Sequence, residues 1–174
     1  MRGDKRSIRF DNFLKVVKSL NFKYSIKQLK MKSKTLLRVT VFVTLFYAFG
    51  HIAGHLTRKQ TTDPVDKEVI RQMEQYKFNV NGSMRSWDNF YEALSLDAAL
   101  VLVVFAIIFW VLSGIAEKYP SVVYSLLWPI LICFIGFTIT HFLYVFMIPT
   151  VTSLVICILI IAAMIQLRRH VDIR

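Results

Sequence analysis

Four ionisable side chains stand where water is scarce: His51 and His55 in one apolar stretch, Asp97 in a second and His141 in a third. A charged or imidazole group among apolar residues of a membrane is costly unless it faces other helices and finds a partner there. Such residues therefore point to a shared site. His51 and His55 are four apart and share one helical face, the spacing at which two imidazoles ligate one metal ion. Asp88 and Glu92 repeat that spacing just ahead of Asp97.

Three arrangements fit this set. In the first, His51, Asp97 and His141 hydrogen-bond one another or loop backbone and lock their helices together. In the second, His51, His55, Asp97 and His141 line a small-ligand or lipid pocket opening outward, with Tyr47, Asp88, Tyr91, Glu92 and Tyr144 at its rim. In the third, His51, His55 and His141 hold a metal ion or haem, the rest of the ligand set being scattered along the chain. The first two need nothing beyond these residues, and no metal, haem or other cofactor is assigned. No glycine-rich phosphate loop, serine nucleophile elbow or clustered thiol motif occurs, so the reading leans away from an enzyme.

The elements that must position these groups are legible in the hydropathy pattern. From Ser121 to Leu167 the chain runs 47 residues without Asp, Glu, Lys or Arg. As one helix it would be ~70 Å long, more than twice the ~30 Å hydrocarbon core, so it folds back as a hairpin. Pro149 lacks an N–H and disfavours the helical region for Ile148, which puts the expected break at that pair. Leu36 to Leu56 and Leu94 to Ala116 supply two more apolar stretches. The expected fold is all-α, an integral membrane four-helix bundle with spans near 36–56, 94–116, 121–147 and 149–167 and an outer loop 57–93. With alternating topology, His51, about 8 Å deep, His141, about 10 Å deep at ~1.5 Å per residue, and Asp97, a few residues inside its span, fall at one level of the outer leaflet. Cys133 and Cys157 sit mid-span and are read as packing residues.

The chain is 174 residues long, 55% hydrophobic, with a formal net charge of +11. That size and apolar content leave room for one compact membrane domain. A basic balance of this size also suits a nucleic-acid binder, but its position argues for a lipid surface. Residues 1–36 carry eleven Lys or Arg against Asp4 and Asp11, immediately before a span, where anionic headgroups attract them by ~1 kcal/mol each. Phe10, Phe13, Leu14, Val17 and Leu20 recur there at helical spacing, the pattern of a basic interfacial helix over residues 1–35. Met31 would also serve as a start, so residues 1–30 are expected to be dispensable for the bundle. Twelve Lys or Arg fall between Arg2 and Arg38, Lys118 lies in the second connection, and Arg168, Arg169 and Arg174 end the chain in a basic tail, 168–174. Only six fall between Thr57 and Glu92. This asymmetry puts both termini on the cytoplasmic side. The first span is expected to be retained, since it is long enough to cross and no small-x-small cleavage site follows it.

In the outer loop, Asp63 and Pro64 make an N-cap and first-turn pair, and Val65, Val69, Ile70 and Met73 mark one face of a short helix reaching about Tyr76. It is expected to lie on the membrane or across the bundle mouth. Asn81-Gly82 predicts a turn, and Ser86 a cap for a helix opening with Trp87, whose ring and that of Tyr91 suit an interfacial aromatic belt. Asn81-Gly82-Ser83 also matches a glycosylation triplet.

The order Gly50-His51, Met73, Phe78, Gly82, Arg85-Ser86-Trp87-Asp88 and Phe90-Tyr91 resembles a group of uncharacterised small bacterial four-span membrane proteins, loosely DoxX-like in layout, over roughly residues 36–167. The resemblance implies this architecture and a bacterial inner-membrane address, and it carries no assigned reaction. The long basic N-terminus departs from the pattern. The expected function is that of an accessory or small-ligand or lipid-binding membrane protein. A membrane-bound enzyme, a metal or haem protein, or half of a dimeric transporter stands as the alternative. Expected partners are membrane lipids, anionic headgroups at the N-terminus, and a second copy or a larger membrane complex, but no nucleic acid.

Overall fold

The computed structural model describes residues 32–171, with side chains to Arg169. The expected interfacial helix over residues 1–35 lies almost wholly outside the described residues, as do residues 172–174 of the tail. Five helices and one hairpin follow in order among the described residues: α1 (Ser33–Thr57), α2 (Pro64–Gln75), β1 (Lys77–Val80), β2 (Ser83–Ser86), α3 (Trp87–Ile115), α4 (Pro120–Tyr144) and α5 (Met147–Val171). Of these, α1, α3, α4 and the stretch Met147–Arg169 are long and apolar enough to cross a membrane. The molecule is thus an all-α four-span membrane protein, with a short helix and a small hairpin in the connection between the first two spans.

Local chemistry accounts for the connection. Asp63 accepts from the Val65 N–H at 2.7 Å with Pro64 in the first turn, and α2 ends at Gln75, close to the expected Tyr76. Asn81 and Gly82 both have positive φ, 50° and 86°, as a two-residue hairpin turn requires, and the Gly82 N–H donates to Asn79 Oδ1 at 2.8 Å. The turn was expected; the flanking ladder, Lys77 opposite Ser86 through Val80 opposite Ser83, was not. Ser86 then closes a reciprocal capping box: the Asn89 N–H donates to Ser86 Oγ at 3.3 Å and the Ser86 N–H to Asn89 Oδ1 at 3.1 Å. This cap starts α3 seven residues ahead of the apolar stretch at Leu94, because hydropathy does not register the polar first turns.

The hairpin of spans breaks one turn earlier than expected. Val145 leaves the helical region, at φ −122° and ψ −141°, and α5 begins at Met147. Pro149 is therefore the third residue of α5 rather than its first, a position whose N–H has no helical acceptor, so the ring costs no hydrogen bond. The spans expected at 121–147 and 149–167 are corrected to Pro120–Tyr144 and Met147–Val171. Pro129 lies inside α4 without ending it.

In lipid no hydrophobic force draws helices together, so association rests on close packing and interhelical hydrogen bonds. Small residues recur accordingly. On α1 the buried Ser33, Leu37, Thr40, Thr44 and Tyr47 alternate at spacings of four and three, and on α3 the buried Ala99, Leu102, Ala106, Phe109 and Ser113 do the same. Thr40 and Thr44 satisfy their hydroxyls on the Leu36 and Thr40 carbonyls at 2.9 and 2.8 Å, which lets them be buried. α1 packs along α3 on one side and α5 on the other, and α4 packs on α5. The Thr138 hydroxyl donates to Ser153 Oγ across that last pair at 3.0 Å. α3 and α4, though consecutive, are little packed against each other. Between them Phe105 and Phe109 meet Phe134 at ring distances of 5.2 and 6.1 Å.

Candidate functional site

The buried face of α1 runs upward into polar side chains. Tyr47 is 5% exposed, and His51, one turn further on, is half-buried. The Tyr47 ring lies 5.6 Å from the His51 ring and 5.9 Å, edge-on, from that of His141 on α4. Its hydroxyl is 3.0 Å from His141 Nδ1 and 3.3 Å from Nε2, so it donates to the bare ring nitrogen or accepts from the protonated one. Phe137 covers His141 at 5.9 Å. The group is neutral in formal charge when the imidazoles are unprotonated, and it joins α1 to α4, helices that are each packed on α5 rather than principally on one another.

The other expected members stand apart. Asp97 is exposed, two residues before the buried Ala99 and hence about 200° around α3 at ~100° per residue. The carboxylate therefore faces away from the bundle, and the expected convergence of His51, Asp97 and His141 becomes one of Tyr47, His51 and His141. Tyr144 is 82% exposed at the end of α4. His55 is half-buried, its Nδ1 enclosed and without a hydrogen-bond partner among the described residues. No three His, Cys, Asp or Glu side chains converge as a metal-holding group among the described residues, so His51, His55 and His141 do not assemble as ligands.

Asp88 and Glu92 belong to a second polar layer at the mouth, where α1 ends and α3 begins. Arg58 Nη2 contacts Asp88 Oδ1 at 2.6 Å and Glu92 Oε1 at 3.1 Å. Lys59 Nζ reaches Asp88 Oδ2 at 2.9 Å, Glu74 of α2 at 2.6 Å and Glu92 at 3.5 Å. The hydrogen bonds it donates to Glu74 and then Asp88 hold the Lys59 ammonium well above the usual lysine range. Asp88 is only 4% exposed, and it sits in the first turn of α3, where the helix dipole favours an anion. The Arg58 guanidinium also covers the Tyr91 ring at 4.8 Å, which turns Tyr91 from a rim residue into part of this layer. Arg58, Lys59 and Glu74 were missed by sequence reasoning. The available signal was their sign: two cations follow the first span directly and two carboxylates open the second.

Compared with protein-family models, with curated proteins and with solved structures, the chain matches none. The fold and these two layers define a four-span membrane protein with an ion-paired mouth above a neutral Tyr–His contact.

Proposed function

We propose that this protein binds a small polar or amphipathic ligand, a lipid headgroup or molecule of similar size, at the Tyr47, His51 and His141 group, acting as an accessory protein of the bacterial inner membrane. The observation that carries the reading is the Tyr47–His141 bond, 3.0 Å, made between side chains of helices that do not pack principally on each other. Such a bond can open without dismantling a helix interface, and a phenol with two imidazoles offers donors, acceptors and ring faces to an incoming group. Native mass spectrometry of the full chain released from mild detergent tests it. A bound small molecule or lipid is expected, with occupancy lowered by Tyr47→Phe and His141→Ala and kept by Asp97→Asn. A chain that carries nothing, or whose cargo ignores Tyr47 and His141, sinks the reading.

Cytoplasmic termini and the DoxX-like layout belong to the same proposal, supported by the Lys and Arg asymmetry. Cysteines placed singly at the exposed Ser83 and Lys118 separate the two orientations. An impermeant thiol reagent on intact cells is expected to label position 83 and spare 118; the reverse pattern overturns the orientation.

A further inference from the structure

The connection between α1 and α3 carries a second site of different chemistry. Val69, Gln72, Met73, Gln75 and Tyr76 lie with Trp87 around an open groove of about 600 Å3, within the ~300–1,000 Å3 range of small-ligand sites. None of the six carries a charge. Trp87 is 56% and Tyr76 63% exposed, and both rings are braced by Phe78, at 5.0 and 6.1 Å. Phe78 in turn stacks on Phe90 at 5.7 Å. Rings held in this way and still open to the groove need little ordering on binding.

The two amides are oriented as well. Gln72 Nε2 donates to Glu68 Oε1 at 2.9 Å, and Gln75 Oε1 accepts from Arg71 Nη1 at 2.5 Å. A carboxylate only accepts and a guanidinium only donates, so the identity of each amide end follows from its charged partner. Among the described residues this leaves Gln72 with an uncommitted carbonyl oxygen and Gln75 with an uncommitted NH2, one acceptor and one donor on the same face of α2. Arg71 also grips Glu68 through Nε at 2.7 Å and Nη2 at 2.6 Å. Those bonds pull the Glu68 carboxyl down to about 2, so the arrangement survives at any physiological pH.

We propose that this groove binds the neutral sugar headgroup of a glycolipid. A pyranose offers an apolar C–H face to stack on exposed aromatic rings and hydroxyls that both donate and accept, which matches Trp87 and Tyr76 beside Gln72 and Gln75. A lipid is the source because Trp87 is the first residue of a membrane-spanning helix, which sets the groove at headgroup height. The lining is uncharged, and the guanidinium beside it, Arg71, is already held by Glu68 through two bonds, so an anionic headgroup finds no unpaired cation at the groove among the described residues.

The test uses the full chain in phosphatidylcholine nanodiscs, with Trp110→Phe and Trp128→Phe so that Trp87 alone reports. Adding monoglucosyl diacylglycerol is expected to shift the Trp87 emission, and soluble methyl glucoside to reverse the shift. Gln72→Leu and Gln75→Leu, on an exposed helix face, are each expected to raise the glycolipid fraction needed for half the response about fivefold to tenfold, the loss of one net hydrogen bond. Circular dichroism of both variants is expected to stay unchanged. No shift with glycolipid, an equal shift with phosphatidylglycerol, indifference to both glutamine variants, or reversal by a neutral peptide instead of the glycoside overturns the proposal.

Discussion

The mouth of the bundle and the Tyr47 contact handle polar groups near lipid in opposite ways. At the mouth, Arg58, Lys59, Glu74, Asp88 and Glu92 form ion pairs at 2.6 to 3.5 Å, tying the ends of α1 and α3 to α2. Deeper in, the Tyr47 hydroxyl meets the His141 ring at 3.0 Å, a contact that carries no formal charge when the imidazole is unprotonated. A buried ion cannot lose its partner cheaply, whereas a neutral hydrogen bond costs only about 1 kcal/mol to exchange. The ionic layer thus suits a fixed closure of the connection, and the neutral one a site that trades its internal bond for a ligand.

The largest effect expected from this contrast is at Asp88. Removing the buried carboxylate takes the 2.6 Å partner from the largely buried Arg58 and leaves that guanidinium only Glu92 at 3.1 Å, so Asp88→Ala should cost about 3 kcal/mol, read as a marked fall in melting temperature in mild detergent. Glu74→Ala, at a half-exposed pair, should cost under ~1 kcal/mol. Equal costs would erase the distinction between a buried lock and surface pairing.

A middle-sized effect lies at the neutral contact. Tyr47→Phe and His141→Ala should each cost about 1 kcal/mol, and a double-mutant cycle should return a coupling of ~0.6–1.7 kcal/mol, the range of interhelical hydrogen bonds in membranes. Asp97→Asn combined with His141→Ala should be additive, because Asp97 faces outward. Coupling between Asp97 and His141 would restore the three-residue group that the helix faces separate.

Dependence on pH should sharpen the contrast further. The Lys59 value is raised from 10.5, so its contribution is fully present below that pH and is lost only as pH climbs through the raised value. The Glu68 value is lowered from 4.5 to about 2, so its contribution is present above 4.5 and fades as pH falls toward 2. Between about pH 5 and 10, hydrogen exchange of α2 should therefore be free of any step from these two groups. The smallest effect is expected from chelators: the melting temperature should hold. A large drop reversed by zinc would make ligands of His51, His55 and His141 after all.

Much of the architecture was legible along the chain, for local reasons. Four apolar stretches are long enough to span lipid, Asp63 and Ser86 cap the helices they precede, and Asn81-Gly82 takes the positive φ values of a hairpin turn. Each of these depends on neighbours within a few residues. The Ser86 cap put the start of α3 at Trp87, ahead of the apolar stretch at Leu94, whereas the break between α4 and α5 moved to Val145, which precedes its proline.

Which side chains meet was a different matter. In a soluble helix, polar and apolar periodicity announces the buried face, but lipid is as apolar as the protein interior, so α3 and α4 are apolar on every side. Asp88 turning inward while Asp97 turns outward, nine residues on, follows from the row of small residues through Ala99, Ala106 and Ser113 along which α3 is buried. The meeting of Tyr47 with His141, 94 positions apart, follows from α1 and α4 both packing on α5. Local residues determine where a membrane helix starts, stops and crosses; only the packing of several helices decides which of its faces finds a partner, because the surrounding solvent does not distinguish them.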